Sequence, residues 1–179
     1  MAETVWVFAY GSIIWRPDFP FVETRPATLK GWVRRFWQGS HDHRGVPDDP
    51  GRVLTLVSSP GEHCHGRAFR ISSEVLEHLD QREKNGYRRE GIEWQSEGEV
   101  LPGMMYRAPE DNPAFLGPAS LRSMALQINR CCGPSGSNRE YVLALAHALR
   151  AMGIEDEHVF EVESWVLGNE PHAIRRVKA

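Results

Sequence analysis

Cysteine is scarce in this chain. Its 179 residues include three, Cys64, Cys131 and Cys132. The number is odd and two are adjacent, so no disulfide framework is suggested and a reducing compartment is expected. Long apolar runs are missing too: nothing approaches the roughly 20 residues of a membrane-spanning helix, so no membrane partner is expected. At the amino terminus, Met1-Ala2-Glu3-Thr4 passes straight into a strand pattern with no basic region or apolar stretch. No signal peptide is read there, and a cytoplasmic location is expected. A basic excess is also absent. Lys and Arg number 21 against 24 Asp and Glu, a formal net charge of -3. Phosphate contacts need more positive charge than that, which argues against a nucleic-acid partner. The late cluster Arg175-Arg176-Val177-Lys178 reads as a solvated tail.

The usual cofactor motifs are lacking as well. There is no Cys-x-x-Cys and no His-Glu-x-x-His. His41-Asp42-His43 and His63-Cys64-His65 place like residues two apart, as a metal site on a strand would need, but both segments read as loops. Gly133-Pro134-Ser135-Gly136-Ser137-Asn138 precedes a helix and could offer N–H groups to an anion. It has no P-loop lysine and follows no strand. No metal and no nucleotide cofactor is expected. There is no internal repeat and no low-complexity segment.

What is present is a hydrophobic content of 41%, enough for one cored domain over residues 1–179. The first half carries strand patterns. Val5–Tyr10 comes first, and a connection containing Pro17, Pro20 and Pro26 follows. Leu29–Ser40 then alternates, with Trp32, Arg34, Phe36 and Gln38 on one face and Val33, Arg35 and Trp37 on the other. His41–Gly51 is a loop by composition. Arg52–Val57 and Gly66–Ile71 are short strands separated by a turn at Pro60-Gly61. Ser72-Ser73-Glu74 starts a helix that runs to about Lys84, with Asn85-Gly86 as a left-handed stop. Gly91–Gln95 and Glu99–Tyr106 complete the strands.

The second half is helical. Ser120 caps a helix with stripe Leu121, Met124, Ala125, Ile128 and Cys132. Asn138 caps a second, with Val142, Leu145, Ala146 and Leu149. Asp156 caps a third, with Val159, Val162 and Val166. Strands first and helices later define an α+β domain, and many short strands can curl into a small barrel.

Two places invite chemistry. In Val5–Trp15 a strand runs into Tyr10-Gly11-Ser12. Gly11 lets the backbone come close to a ligand, and successive N–H groups can line an anion-binding hollow. Equally, the segment is an ordinary strand and turn. In the helix after Ser72, the apolar stripe Val75, Leu76, Leu79 continues to position 83, which is Glu. Helical spacing therefore turns a carboxylate toward the core, in the last turn, where burial and the helix dipole both raise its pKa. Such a carboxylate suits a general base, although an arginine partner or an early helix end would give Glu83 a plainer role. Tyr141, in the first turn of its helix, either reaches into a site or simply packs. Ser12 and Cys64 have no assignable base and are not read as nucleophiles.

Tyr10-Gly11-Ser12-Ile13-Ile14-Trp15, Arg34 to Ser40, Asp42-His43-Arg44-Gly45-Val46-Pro47, Arg82-Glu83-Lys84-Asn85-Gly86-Tyr87, and Gly133-Pro134-Ser135-Gly136 with Asn138, Glu140 and Tyr141 together resemble the ChaC-type γ-glutamylcyclotransferases. The motifs fall in order over most of the chain. The resemblance implies a small mixed β-barrel with flanking helices and action on glutathione without a cofactor. The reaction would release 5-oxoproline and cysteinylglycine. It implies that Ala9, Tyr10, Gly11, Ser12, Ile13 and Ile14 bind the γ-glutamyl group and that Glu83 is the acid/base, with Tyr141 a further contact. The family's pattern commonly has leucine at Ile13 and glycine at Asn85. Other γ-glutamyl compounds as substrates, or a silent γ-glutamyl-binding module, are the alternatives. Oligomeric state is not legible.

Overall fold

A computed structural model describes residues 3–169. The tail cluster Arg175-Arg176-Val177-Lys178 lies outside the described residues. Five strands close into a mixed barrel in the order β1-β3-β2-β4-β5. They are β1 (Thr4–Ala9), β2 (Glu23–Ser40), β3 (Gly51–Ser72), β4 (Arg88–Ser96) and β5 (Glu99–Arg107). All pairings are antiparallel except β1 with β5, which meet in parallel at Val7 and Met104 and close the ring. Closure leaves no open sheet edge. Helix α1 (Ser73–Arg82) follows β3. Helices α2 (Leu121–Arg130), α3 (Asn138–Ala151) and α4 (Glu157–Val166) pack together beside the barrel, and a two-stranded hairpin of β6 (Cys132–Gly133) and β7 (Gly136–Ser137) joins α2 to α3. No helix among the described residues is long and apolar enough to cross a membrane.

The long strands differ from the pattern in the sequence. β2 begins at Glu23, so Pro26 lies within it rather than in the connection before it. Arg52–Val57 and Gly66–Ile71 belong to one strand. The Pro60-Gly61 signal is still physical: pairing jumps from Lys30↔His63 to Trp32↔Ser58, so Ser59 to Glu62 stand opposite Gly31 alone. The signal marks a bulge inside a strand pair, which turn residues serve as well as they serve a hairpin. His63-Cys64-His65 is therefore strand and not loop. Cys64 points into the core while the two histidine rings stack on the other face.

The even face of β2 is the buried one, and it holds polar residues. Arg34 and Gln38 are 1% and 0% exposed. Each is fully engaged. Arg34 donates from Nε to the Tyr10 carbonyl at 2.7 Å, from Nη1 to Asp156 at 3.1 Å, and from Nη2 to the His65 carbonyl. Gln38 donates to the Asn85 carbonyl and exchanges hydrogen bonds with Asn112. Buried polar groups are tolerated when satisfied in this way.

The helices hold the expected stripes with shifted ends. Ser120 and Asp156 cap α2 and α4 through their side-chain oxygens. Helix α2 ends at Arg130, so Cys132 falls in β6 and is exposed, while Cys131 takes the buried position. The cap of α3 is Ser137, not Asn138. Asn138 is fully buried and its side-chain amide brackets Arg52, accepting from its N–H at 2.7 Å and donating to its carbonyl at 2.8 Å. That clamp ties the start of α3 to β3, which fixes Tyr141 one turn later.

Candidate active site

The strand β1 stops at Ala9, and Ser12–Ile14 form one turn of 3-10 helix with Gly11 ahead of it. The turn is closed by the Ile14 N–H donating to the Gly11 carbonyl at 3.0 Å. The N–H groups of Gly11, Ser12 and Ile13 have no acceptor among the described residues, as the first donors of a helical turn do not. Arg34 pins the Tyr10 carbonyl from behind, and the Tyr10 hydroxyl donates to the Tyr106 carbonyl at 2.6 Å. The turn is thus held by Arg34 and by the Tyr10 hydroxyl, and its residues Gly11, Ser12 and Ile13 border a small pocket.

That pocket, ≈ 60 Å³, is lined by Ala9, Tyr10, Gly11, Ser12 and Ile13 together with Leu54, Glu83 and the other three tyrosines. It adjoins a wider cleft of ≈ 430 Å³ with which it shares Ser12, Glu83, Tyr87 and Tyr141. Folding therefore brings the opening turn and Glu83 together across more than 70 residues of chain. Ile14 is placed differently. Its side chain is buried in the core and does not reach the pocket, and its N–H is already used.

Glu83 ends up on the core side for the reason its spacing implied, with one correction. Helix α1 stops at Arg82, two residues before Lys84. Glu83 is the C-cap, yet its N–H still bonds the Leu79 carbonyl at 2.9 Å, so it keeps the i, i+4 relation to fully buried Leu79. The neighbouring segment is anchored independently. Asn85 donates to the Gly39 carbonyl at 3.2 Å, and the Tyr87 hydroxyl donates to the Leu54 carbonyl at 2.6 Å. The left-handed residue is Gly86 alone, φ 82°, where Gln38 and Asn112 crowd the space a side chain would need. Asn85 itself does not adopt that conformation.

The Glu83 carboxylate has no hydrogen bond and no ion pair among the described residues. Arg82, the adjacent cation, turns to Asp18 at 4.0 Å. Burial pushes the Glu83 carboxyl above its ordinary value; the Arg82 charge opposes this and Asp42 adds to it. The surrounding phenols are raised in turn. Tyr141 is pushed up to about 12, by burial first, against the opposing effect of the Leu54 N–H. Burial, then the nearby Glu83, holds Tyr10 well above the usual phenol range. These hydroxyls stay protonated at neutral pH and serve as donors. Tyr10, Tyr87 and Tyr106 spend their protons on Tyr106, Leu54 and Asp80 oxygens. The Tyr141 oxygen accepts from the Leu54 N–H at 3.4 Å, which leaves its own proton free to point at the pocket.

All four tyrosines of the chain line this pocket. The sequence singled out only Tyr10 and Tyr141: Tyr87 was carried only as the last residue of the Arg82–Tyr87 motif, and Tyr106 sits in a strand pattern with nothing to distinguish it from a core aromatic. In the wider cleft, Arg44, Asn85 and Ser135 were carried only as parts of longer motifs. The cleft assembles the loop after β2, the end of α1 and the β6–β7 hairpin, which local periodicity does not relate.

The model of the ChaC-like protein family matches residues 5–169, and the chain belongs to that family. It is 43% identical to Gamma-glutamylcyclotransferase 2-3 of Arabidopsis thaliana over 90% of this chain and 88% of that one. It is 38% identical to Glutathione-specific gamma-glutamylcyclotransferase 1 of Danio rerio, covering 92% of this chain and 90% of the relative. The crystal structure of a glutathione-specific γ-glutamyl cyclotransferase from yeast superimposes with a TM-score of 0.86 at 30% identity, covering 95% of this chain and 98% of that one.

Proposed function

We propose that this protein is a glutathione-specific γ-glutamylcyclotransferase, with Glu83 as its acid/base. The observation that carries the reading is the Glu83 carboxylate, unpaired and partly buried, sharing one small pocket with the free N–H groups of Gly11, Ser12 and Ile13. A relative named as glutathione-specific, 38% identical over nine-tenths of the chain, supports the substrate, and one named as a gamma-glutamylcyclotransferase at 43% supports the reaction.

The substrate's own α-amine attacks its γ-carbonyl carbon. The new C–N bond closes a five-membered ring, the γ-amide C–N bond breaks, and 5-oxoproline and cysteinylglycine leave. Nucleophile and electrophile are tethered, so the protein supplies conformation and proton traffic. The α-amine starts as an ammonium with a pKa of about 8, and an ordinary Glu sits near 4.3, so proton transfer between them is uphill by roughly 5 kcal/mol. Burial of Glu83 narrows that gap. Glu83 takes the proton from the ammonium and returns one to the departing cysteinyl amine, ending as it began. The donors of the Gly11–Ile13 turn hold the glutamyl carboxylate or the oxyanion of the tetrahedral intermediate, and the free Tyr141 proton is a further donor. Ser12 positions and is not a nucleophile. This route needs no metal, nucleotide or water nucleophile. Cysteine usage supports a reducing, cytoplasmic setting.

The test is direct. Purified protein with glutathione should release 5-oxoproline, followed by mass detection, and the Glu83→Gln variant should stay folded and release it at least about 100-fold more slowly. Glutathione turnover by that variant at the wild-type rate would remove Glu83 from the mechanism.

A further inference from the structure

Three buried arginines differ in how fully their guanidinium donors are engaged. Arg34 uses Nε, Nη1 and Nη2. Arg52 uses Nε for Gln127 and Nη1 for two carbonyls, those of Phe36 and Gly117, leaving Nη2 alone without a partner among the described residues. Arg44 is 7% exposed, yet only its Nη1 is occupied, by the Ser137 carbonyl at 3.2 Å and by Glu140 at 3.4 Å. Nε and Nη2 have no partner among the described residues and are not sealed from solvent, because Arg44 lines the wide cleft. Its guanidinium lies 5.7 Å from the centre of the Tyr141 ring. The hydroxyl of the same ring faces Gly11 in the inner pocket. Arg44 therefore lines the cleft outside the glutamyl cradle, and the Tyr141 ring borders both. The two ends of an extended γ-glutamyl tripeptide lie on the order of 10 Å apart at ~3.5 Å per residue.

The Glu140 contact is a weak hold. It is a single long approach, and the Glu140 side chain is 68% exposed, against 9% for the arginine side chain. A guanidinium presents its donors as a fork that suits a carboxylate at two points, and here one prong set is free.

We infer that Arg44 is a specificity-determining residue that binds the carboxylate at the far, glycyl end of the substrate, and that Glu140 occupies it only until that carboxylate arrives. The inference rests on the function proposed above. It explains how a pocket built for a glutamyl group could demand a tripeptide: the Arg44 fork would reward a carboxylate two residues beyond the reacting bond. The other cleft cations are less suited. Arg16 is exposed on the proline-rich connection, and Arg82 leans to Asp18.

The experiment compares glutathione with its glycinamide analogue, which keeps every reacting atom and lacks only the glycyl charge. Wild-type kcat/KM should favour glutathione on the order of tenfold to a hundredfold, the worth of a charge-assisted contact. Arg44→Lys, and Arg44→Met where it folds, should shrink that ratio, with the change falling on KM for glutathione more than on kcat. Glu140→Gln should lower KM for glutathione and leave the KM for the amide where it was. Equal wild-type turnover of the two substrates would overturn the inference, as would a ratio that survives in Arg44→Lys or falls instead in Arg16→Lys. Those results require active enzyme, so they are distinct from failure of the parent proposal, in which neither substrate yields 5-oxoproline.

Discussion

A methyl group built on Gly11 would lie 3.2 Å from the Tyr141 hydroxyl oxygen. The turn after β1 and the first turn of α3 meet at that point, which couples the proposed cradle to the helical layer. Gly11→Ala should therefore displace the ring by a few tenths of an ångström. The expected cost is about 1–3 kcal/mol of stability and a drop in glutathione turnover. Tyr141→Phe removes the oxygen that a methyl group would meet. In a double-mutant cycle followed by thermal unfolding, Gly11→Ala should cost less in the Tyr141→Phe background, with coupling of about 0.5–3 kcal/mol. Additive effects would mean that the contact does not constrain the turn.

On the proposed mechanism, loss of the Glu83 carboxylate should be severe but local. Glu83→Gln keeps the shape and the Glu83 N–H bond to Leu79. A loss in kcat of about 10²–10⁴-fold is expected from removing a general acid/base, with a near-native circular dichroism spectrum.

The same group makes a stability prediction of opposite sign. Burial raises the folded-state pKa of Glu83. Between the ordinary carboxylate value and that raised value, the folded protein holds a proton that the unfolded chain has lost. Stability therefore falls as pH rises through this window. Glu83→Gln cannot pay this penalty. It should be more stable than wild type in urea unfolding at pH 8, and the advantage should vanish below the ordinary carboxylate range. The activity of the wild type should rise with pH on its acid limb, with a midpoint above that of an ordinary glutamate. An equal stability difference at pH 8 and at pH 4 would show that the Glu83 charge is not the source.

Asn138 supports the site without touching it. Its side chain satisfies both backbone groups of Arg52 in a buried setting. Asn138→Ala leaves a donor and an acceptor unpaired, at about 1–3 kcal/mol each. Asn138→Asp should fare no better, because a carboxylate can accept from the N–H but cannot donate to the carbonyl. Both should lower the melting temperature, by roughly 2–4 °C for each kcal/mol lost in a chain of this size. A melting curve for Asn138→Asp that overlays wild type would dismiss the clamp.

Much of this protein is legible from local pattern. Helical spacing alone carries Glu83 to the core side of α1, because a 3.6-residue period continues past Leu79 whether or not the final residue is counted as helix. Stripes and caps place α2 and α4, and the alternation of β2 separates Arg34, Phe36 and Gln38 from Trp37. Boundaries fared worse where tertiary pairing overrode turn chemistry. Pro60-Gly61 became a bulge because β2 continues opposite it, and Asn138 became a clamp because Arg52 happens to lie within reach.

By itself the sequence determined an α+β chain, a glycine turn after the first strand and a carboxylate in a raised-pKa position, since each depends on neighbours within a few residues. Only the tertiary structure decided that the two share a pocket. It also brought Tyr87 and Tyr106 into that pocket, kept Ile14 out of it, and left half of a buried arginine fork open to the cleft. Those relations are set by barrel closure, which joins residues far apart in the chain through strand register and packing, and no local period encodes them.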